Sequence, residues 1–262
     1  MIEKAEKPFS VAKFSECGLV YVDPQPDTED DLYGEEYYRE WKDRQMHART
    51  GLWKRRLRHV RAFQPSGRLL DVGCGIGTFL RTARESGYEV RGTEISPFAC
   101  RYIREEHDID VLEGGLPAID LAGNRFDVIT FWHSLEHMND PMANLQTAFT
   151  LIKHRGLLVI AVPNVDNVVY RYIYPVVKGR RPHLFSINDR ERHLYFFSEN
   201  TLAAMVRKAG FEVIRVGVDL GQANLPKKQL DWLALVLHRL MGRVLGAGIR
   251  LFARKSGKEP GE

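Results

Sequence analysis

Apolar positions along this chain follow two periods. Short apolar-rich runs recur as RLLDVG, YEVRGTEI, IDVLEG and RFDVITF (125–131), and unbroken as GLLVIAV (156–162). Between them, as in GTFLRTARESG and PFACRYIREEH, apolar residues return every three or four positions. Unbroken runs mark strands buried on both faces, and the longer period marks helices. The alternation from Arg68 onward predicts a parallel sheet covered by helices on both faces. Ser96-Pro97 and Asp140-Pro141 each supply a capping residue followed by proline at the first helical position. Further on, Ser198 caps ENTLAAMVRKAG, FEVIRVGV and GIRLFARK predict two closing strands, and QLDWLALVLHRLMGRVL between these predicts a strongly apolar helix.

The rest of the chain divides around that core. Residues 1–34 hold one strand-like piece, CGLVYV, and 35–66 read as a polar, basic, helix-compatible cover closed by Pro65-Ser66-Gly67. The domain then runs over 67–255, with an interruption at 163–193 rich in Tyr, Arg and Pro. The tail 256–262 reads as disordered. A length of 262 residues suits one α/β domain with appendages, and a net charge of +4 calls for neither a nucleic-acid nor a membrane partner. Cys17, Cys74 and Cys100 form no CxxC pair, which favours free thiols in a reducing, cytoplasmic setting. The segment MIEKAEKPFS has no apolar signal region, and the run WLALVL is too short to span a bilayer.

Sheets of this kind bind ligands at the carboxyl ends of their strands. The first such loop is LLDVGCGIGTFL, with Gly73, Gly75 and Gly77 at alternate positions. A dinucleotide fingerprint needs a third glycine where Thr78 stands, and no Lys-Ser/Thr pair follows for a triphosphate loop. Asp71, two positions before Gly73, would repel a pyrophosphate and attract a cation. S-adenosylmethionine carries an ammonium and a sulfonium and no phosphate. Glu94, ending the second strand, suits both hydroxyls of a ribose, and Ile95 beside it can lie against adenine.

The ordered set DVGCGIGTF, GTEISPFA, RFDVITFWHSLEHMNDP, GLLVIAVPN and HLYFFSENTLAAMVRKAGFEV resembles the class I S-adenosylmethionine-dependent methyltransferases. Within them it is similar to the group of ubiquinone-biosynthesis O-methyltransferases and secondary-metabolite methyltransferases. The resemblance covers roughly residues 33–255. It implies a Rossmann-like α/β fold with a seven-stranded, mostly parallel sheet in the order 3-2-1-4-5-7-6, the last strand antiparallel. It also implies S-adenosyl-L-methionine as cofactor, S-adenosyl-L-homocysteine as product and a small-molecule methyl acceptor, with O-methylation ahead of N- or C-methylation. Asp71, Gly73, Cys74, Gly75 and Gly77 would hold the methionine portion and Glu94 the ribose. Ile95, Gly115 and Leu116 would meet the adenine, and Phe131, Trp132 and His133 would line the sulfonium side. Many relatives carry an acidic residue toward the adenine amino group where this chain has Gly115.

Methyl transfer asks for alignment, exclusion of water and, for a protonated nucleophile, a base of near-neutral pKa. His133, His137 and His193 are the candidates. His133, Glu136 and His137 form an HxxEH stretch; relatives use acidic residues nearby for a divalent metal. Here backbone hydrogen bonding that fixes the loop is the expectation, with no metal.

Four appendages complete the picture. The stretch NVVYRYIYPVVKGRRPHLF stands where relatives insert a substrate lid; Tyr170, Tyr172 and Tyr174 alternate with Arg171, and Lys178, Arg180 and Arg181 follow. In the cover, Arg44, Arg49, Lys54, Arg55, Arg56, Arg58 and Arg61 read as a solvated outer face rather than an RNA grip, with Tyr37, Tyr38 and Trp41 reaching inward. Helix 226–246 shows Leu230, Leu233, Leu237, Leu240, Met241 and Val244 on one face, suited to packing, a dimer contact or a peripheral membrane contact. Finally, SECGLVYVDPQP resembles half of a zinc ribbon, but Phe14 stands where the partner of Cys17 would be, so the segment reads as a degenerate ribbon without zinc. A catalytically idle cofactor-binding protein and a nicotinamide-dependent oxidoreductase are the alternatives, and Asp71 and Thr78 oppose the second.

Overall fold

The computed structural model describes residues 8–26, 33–121, 123–180, 182–221 and 242–256, the side chains of residues 40–49 and of Tyr170 excepted. A hairpin of β1 (Ser10–Lys13) and β2 (Val20–Asp23) precedes the long helix α1 (Glu35–Arg61). The alternating core follows: β3 (Gly67–Val72), α2 (Thr78–Glu85), β4 (Tyr88–Glu94), α3 (Pro97–His107), β5 (Val111–Glu113), β6 (Phe126–Trp132), α4 (Pro141–Leu151) and β7 (Ile152–Pro163). After a π-helical turn (Val169–Ile173) come α5 (Tyr174–Lys178), β8 (Tyr195–Phe196), α6 (Glu199–Lys208), β9 (Phe211–Asp219) and β10 (Gly248–Lys255).

Seven of these strands form one sheet in the order β5-β4-β3-β6-β7-β10-β9, in which β10 alone runs antiparallel to its neighbours. This is the order expected from the resemblance. The caps form as the sequence predicts. Ser96 Oγ accepts from Ala99 N, Asp140 Oδ1 accepts from Ala143 N, and Ser198 with Thr201 builds a reciprocal capping box.

Strand parity divides the core in two. Leu70, Ile129, Phe131, Leu158, Ile160 and Leu251 pack toward α4 and α6. Leu69, Val128, Trp132, Leu157, Val159 and Phe252 pack on the opposite face with α1, α2 and α3. Both faces are buried, so the strands read as continuous apolar runs. Truncating one central side chain, as in Leu158→Ala, would cost about 2–5 kcal/mol.

β1, β2 and β8 make a separate three-stranded sheet. The ribbon-like segment thus survives as a hairpin, with Phe14 stacked on Tyr21 at 4.1 Å and Cys17 an exposed free thiol. In the lid segment, Tyr172, Ile173, Val176 and Val177 are exposed. Most of the apolar helix expected at 226–246 lies outside the described residues. Its end departs from expectation, because residues 242–246 form turns and Val244 is buried in the main core. Ser256, placed with the tail, hydrogen-bonds to Gly210 O. No helix among the described residues is long and apolar enough to cross a membrane.

Candidate active site

A cavity of about 810 Å³ opens where β3, β4, β6 and β7 end, at the reversal of strand order between β3 and β6. Its wall brings together Asp71, Gly73, Cys74, Gly75, Glu94, Ile95, Gly115, Leu116, Trp132 and His133. Gly77 and Phe131 are not in it. Gly77 adopts a left-handed φ of +73° at the start of α2, and a Cβ there would stand 3.0 Å from Ile103; it serves the turn. Phe131 has the parity of Ile129, so it points into the α4–α6 core while Trp132 turns to the cavity.

Asp71 and Glu94 give the cavity its charge. Both are nearly fully buried. Thr130 Oγ1 donates to Asp71 Oδ1 at 2.6 Å, and Asp71 does not cap α2. Burial, with the Glu94 charge adding to it against the Thr130 hydrogen bond, pushes the Asp71 carboxyl up to about 7. Glu94 Oε2 accepts from Gly75 N at 2.8 Å and Oε1 from Ser96 N at 3.0 Å, which fixes the loop to the end of β4. Burial raises the Glu94 pKa despite those bonds. Two buried carboxylates facing one cavity favour a cationic occupant and disfavour a phosphate. The Trp132 indole N–H, buried with no hydrogen-bond partner, adds a free donor to the same wall.

The histidines lie on the other side. His133 takes a left-handed φ of +53°, a conformation that costs an ordinary side chain roughly 1 kcal/mol. Its Nδ1 is 3.6 Å from Glu136 Oε1, and its Nε2 is 2.8 Å from Arg56 Nη2 and 3.2 Å from Asp219 Oδ2. Burial lowers the His133 pKa, but hydrogen bonds to Asp219 and Glu136 outweigh it and leave the value above the ordinary one. His137 Nδ1 lies 2.8 Å from Arg192 O and 3.2 Å from Tyr33 Oη, which directs its Nε2 toward Glu136 at 4.0 Å. The His193 ring meets that of His137 edge to face at 4.9 Å. Burial lowers its pKa, and the Glu136 charge opposes this.

Glu136 corrects an expectation. Its backbone carbonyl accepts from Leu194 N at 2.8 Å, but neither carboxylate oxygen has a hydrogen-bond partner, although the side chain is buried. The carboxylate therefore does not fix the loop. Burial raises its pKa, yet His133, His137 and His193 together hold it below the usual range. Glu136, His137 and His193 bring one possible ligand atom each within 4.8 Å of one another, the one such group of three among the described residues.

The basic cover needs a second correction. Arg56, placed with the solvated face, is 3 % exposed and lines the cavity with Tyr37, Tyr38, Leu52 and Trp53. Trp41 lies among the side chains outside the description. Arg56 pairs with Asp219, which this charge holds well below the usual carboxylate range in spite of burial. The sequence reading named neither Arg56 as an inward residue nor Asp219 at all. The signals were a tryptophan three residues before an arginine, and a lone acid ending an apolar strand. Among the described residues of the lid segment, Pro163, Glu191, Arg192 and His193 reach the cavity wall; Tyr172 and Tyr174 do not.

Comparison with known proteins bears on the family and the fold. The family model described as "Methyltransferase domain" matches residues 41–216. A ubiquinone biosynthesis O-methyltransferase of Bordetella avium is 26% identical over 153 residues, covering 55% of this chain and 62% of that protein; the match spans less than two thirds of the relative's length. Among solved structures, an S-adenosylmethionine-dependent methyltransferase of Thermotoga maritima aligns with TM-score 0.59 and 21% identity, over 86% of this chain and 98% of that one. The magnesium protoporphyrin IX methyltransferase of Synechocystis, solved with S-adenosylhomocysteine bound, aligns with TM-score 0.58 and 15% identity over 87% and 98%. These likenesses carry the fold.

Proposed function

The chain belongs to the class I S-adenosylmethionine-dependent methyltransferases, and we propose that it methylates a hydroxyl of a small molecule, His193 taking the proton. S-adenosylmethionine, when bound, supplies an electrophilic methyl group on a sulfonium. Asp71 and the Gly73–Gly75 loop would hold its methionine portion and Glu94 its ribose, while Ile95 and Leu116 would meet the adenine and Trp132 and His133 would line the sulfonium side. The fit rests on two buried carboxylates aimed into a cavity whose loop lets backbone approach closely.

The acceptor enters between the cofactor wall and the Tyr33, Tyr37, Glu191, Arg192 and His193 side. With the cofactor bound, its methyl group would be the electrophile for the acceptor hydroxyl, and His193 would take the hydroxyl proton on a ring nitrogen. His193, held neutral by burial, is ready to accept it. The observation that carries this reading is the buried Glu136 carboxylate, which makes no hydrogen bond of normal length and lies within 4.8 Å of His193, where its charge favours the imidazolium. No metal enters this scheme.

Methyl-labelled S-adenosylmethionine offered with a panel of small phenols, aliphatic alcohols and amines tests it. Label on hydroxyl oxygen, lost in His193→Gln, is expected. Label found on amines alone would overturn the oxygen assignment, and failure to bind S-adenosylhomocysteine would overturn the cofactor site.

A further inference from the structure

We infer that Arg56 and Asp219 are positioning residues for the transfer site. Together they decide which ring nitrogen of His133 carries a proton, and through His133 they aim the Glu136 carboxylate at His193. The inference rests on the reading of the cavity as the transfer site.

Arg56 and Asp219 are 163 residues apart in sequence, on α1 and at the end of β9. Arg56 Nε lies 3.3 Å from Asp219 Oδ1 while Nη2 meets Oδ2, a two-pronged fork that fixes the guanidinium plane. The rings of Trp53 and Trp132 lie 4.8 and 4.9 Å from the guanidinium carbon, so both aromatic neighbours restrict its rotation. Nη2 is then left 2.8 Å from His133 Nε2.

A guanidinium donates and never accepts. Two groups compete for His133 Nε2: Arg56 Nη2 at 2.8 Å asks for its lone pair and Asp219 Oδ2 at 3.2 Å asks for a proton. The closer guanidinium favours the lone pair, and the neutral ring then carries its proton on Nδ1. That N–H faces Glu136 Oε1 at 3.6 Å, nearer to it than His137 Nε2 at 4.0 Å. The charged and titratable groups around His133 come from every side: Arg56 from α1, Asp219 from β9, Glu136 and His137 from the turn after β6, and His193 from the segment before β8. On β10, Arg250 Nη1 lies 3.7 Å from Asp219 Oδ1 and holds the far side of that carboxylate. The result is one polar chain from Asp219 through Arg56, His133 and Glu136 to His193, running under the cavity.

A stability role does not account for this arrangement. Buried ion pairs are commonly replaceable by apolar side chains of the same volume without loss of stability. An apolar replacement could not donate to Nε2. The left-handed backbone of His133 points the same way, since such strain persists only where the surroundings hold it.

The test uses the full chain with ¹⁵N-labelled histidine, the His133 signals being assigned by their loss in His133→Gln. Nitrogen chemical shifts near neutral pH report the tautomer directly. In the wild type His133 is expected to be the Nδ1–H form. Arg56→Met should convert it to the Nε2–H form, now donating to Asp219, and lower kcat about tenfold to a hundredfold while S-adenosylhomocysteine affinity changes by less than about threefold. Arg56→Lys, which restores a donor without the fork, should recover part of both. An Nε2–H wild type, or an Arg56→Met protein with unchanged tautomer and kcat, would overturn the inference. If Arg56→Met does not fold, Arg56→Lys carries the test: a partial shift toward the Nε2–H form with a partial loss of kcat is expected, and an unchanged tautomer with unchanged kcat would overturn the inference. A wild type that shows the Nδ1–H form and binds cofactor but transfers no methyl group would instead sink the transfer reading.

Discussion

Thr130 Oγ1 donates to Asp71 Oδ1 at 2.6 Å between two residues that are register partners on adjacent strands. That bond favours an ionised Asp71, and burial opposes it strongly enough to bring the carboxyl up to about 7. A ligand with a positive ammonium binds the ionised form. Below that pH, binding must expel a proton, so S-adenosylhomocysteine affinity should rise up to about tenfold per pH unit toward neutrality and level off above it. Calorimetry across pH checks the slope. Asp71→Asn should abolish it, and Thr130→Val should move the plateau to higher pH.

Glu94 is held by two backbone N–H groups, from Gly75 and Ser96. In Glu94→Gln an amide N–H would face one of those donors. Charge-assisted hydrogen bonds are worth about 1.5–3 kcal/mol, so cofactor affinity should fall roughly tenfold to a hundredfold. An unchanged dissociation constant by calorimetry would remove Glu94 from the ribose site.

Proton acceptance by His193 has a kinetic signature. His193→Gln should lower kcat by about 10²- to 10⁴-fold with cofactor affinity retained. Because burial holds its pKa below the ordinary histidine value, the acid limb of kcat should lie below that value too. The Glu136 charge raises that pKa, so Glu136→Gln should shift the limb further to acid. A limb that stays in place in Glu136→Gln would separate the two residues.

Gly73 sits at φ +69°, and a Cβ there would lie 2.6 Å from Ser134 Cβ. Gly73→Ala combines left-handed strain with backbone displacement, for a cost of about 1–3 kcal/mol in stability. Thermal unfolding should show it together with weaker cofactor binding. A stable variant binding like the wild type would mean the loop is looser than its contacts imply.

Asp219 gives a stability prediction of definite sign. Its folded pKa is depressed, chiefly by Arg56 acting against burial, so its contribution is present above the usual carboxylate range and is lost as pH falls through the folded value. Denaturant unfolding of Asp219→Asn should show a loss of about 3–5 kcal/mol at neutral pH that shrinks on acidification. A loss independent of pH would assign the cost to packing instead.

The sequence alone determined most of the frame. Apolar runs alternating with helical periods set the sheet, the caps Ser96-Pro97, Asp140-Pro141 and Ser198 set three helix starts, and the loop from Asp71 to Gly75 with Glu94 marked one wall of the cavity. These are local signals, because each strand or cap is built from neighbours in the chain. Tertiary structure decided the rest. Phe131 and Trp132 are both large and apolar at the end of a mainly apolar run, so no polar alternation told which of them meets the cavity; the choice follows from strand parity within a sheet covered on both faces. Arg56 stands among the arginines of a helix with no strong apolar stripe, where one inward cation looks like its outward neighbours. Only packing brings Asp219, 163 residues away, against it, and an ion pair is legible when both partners are in view.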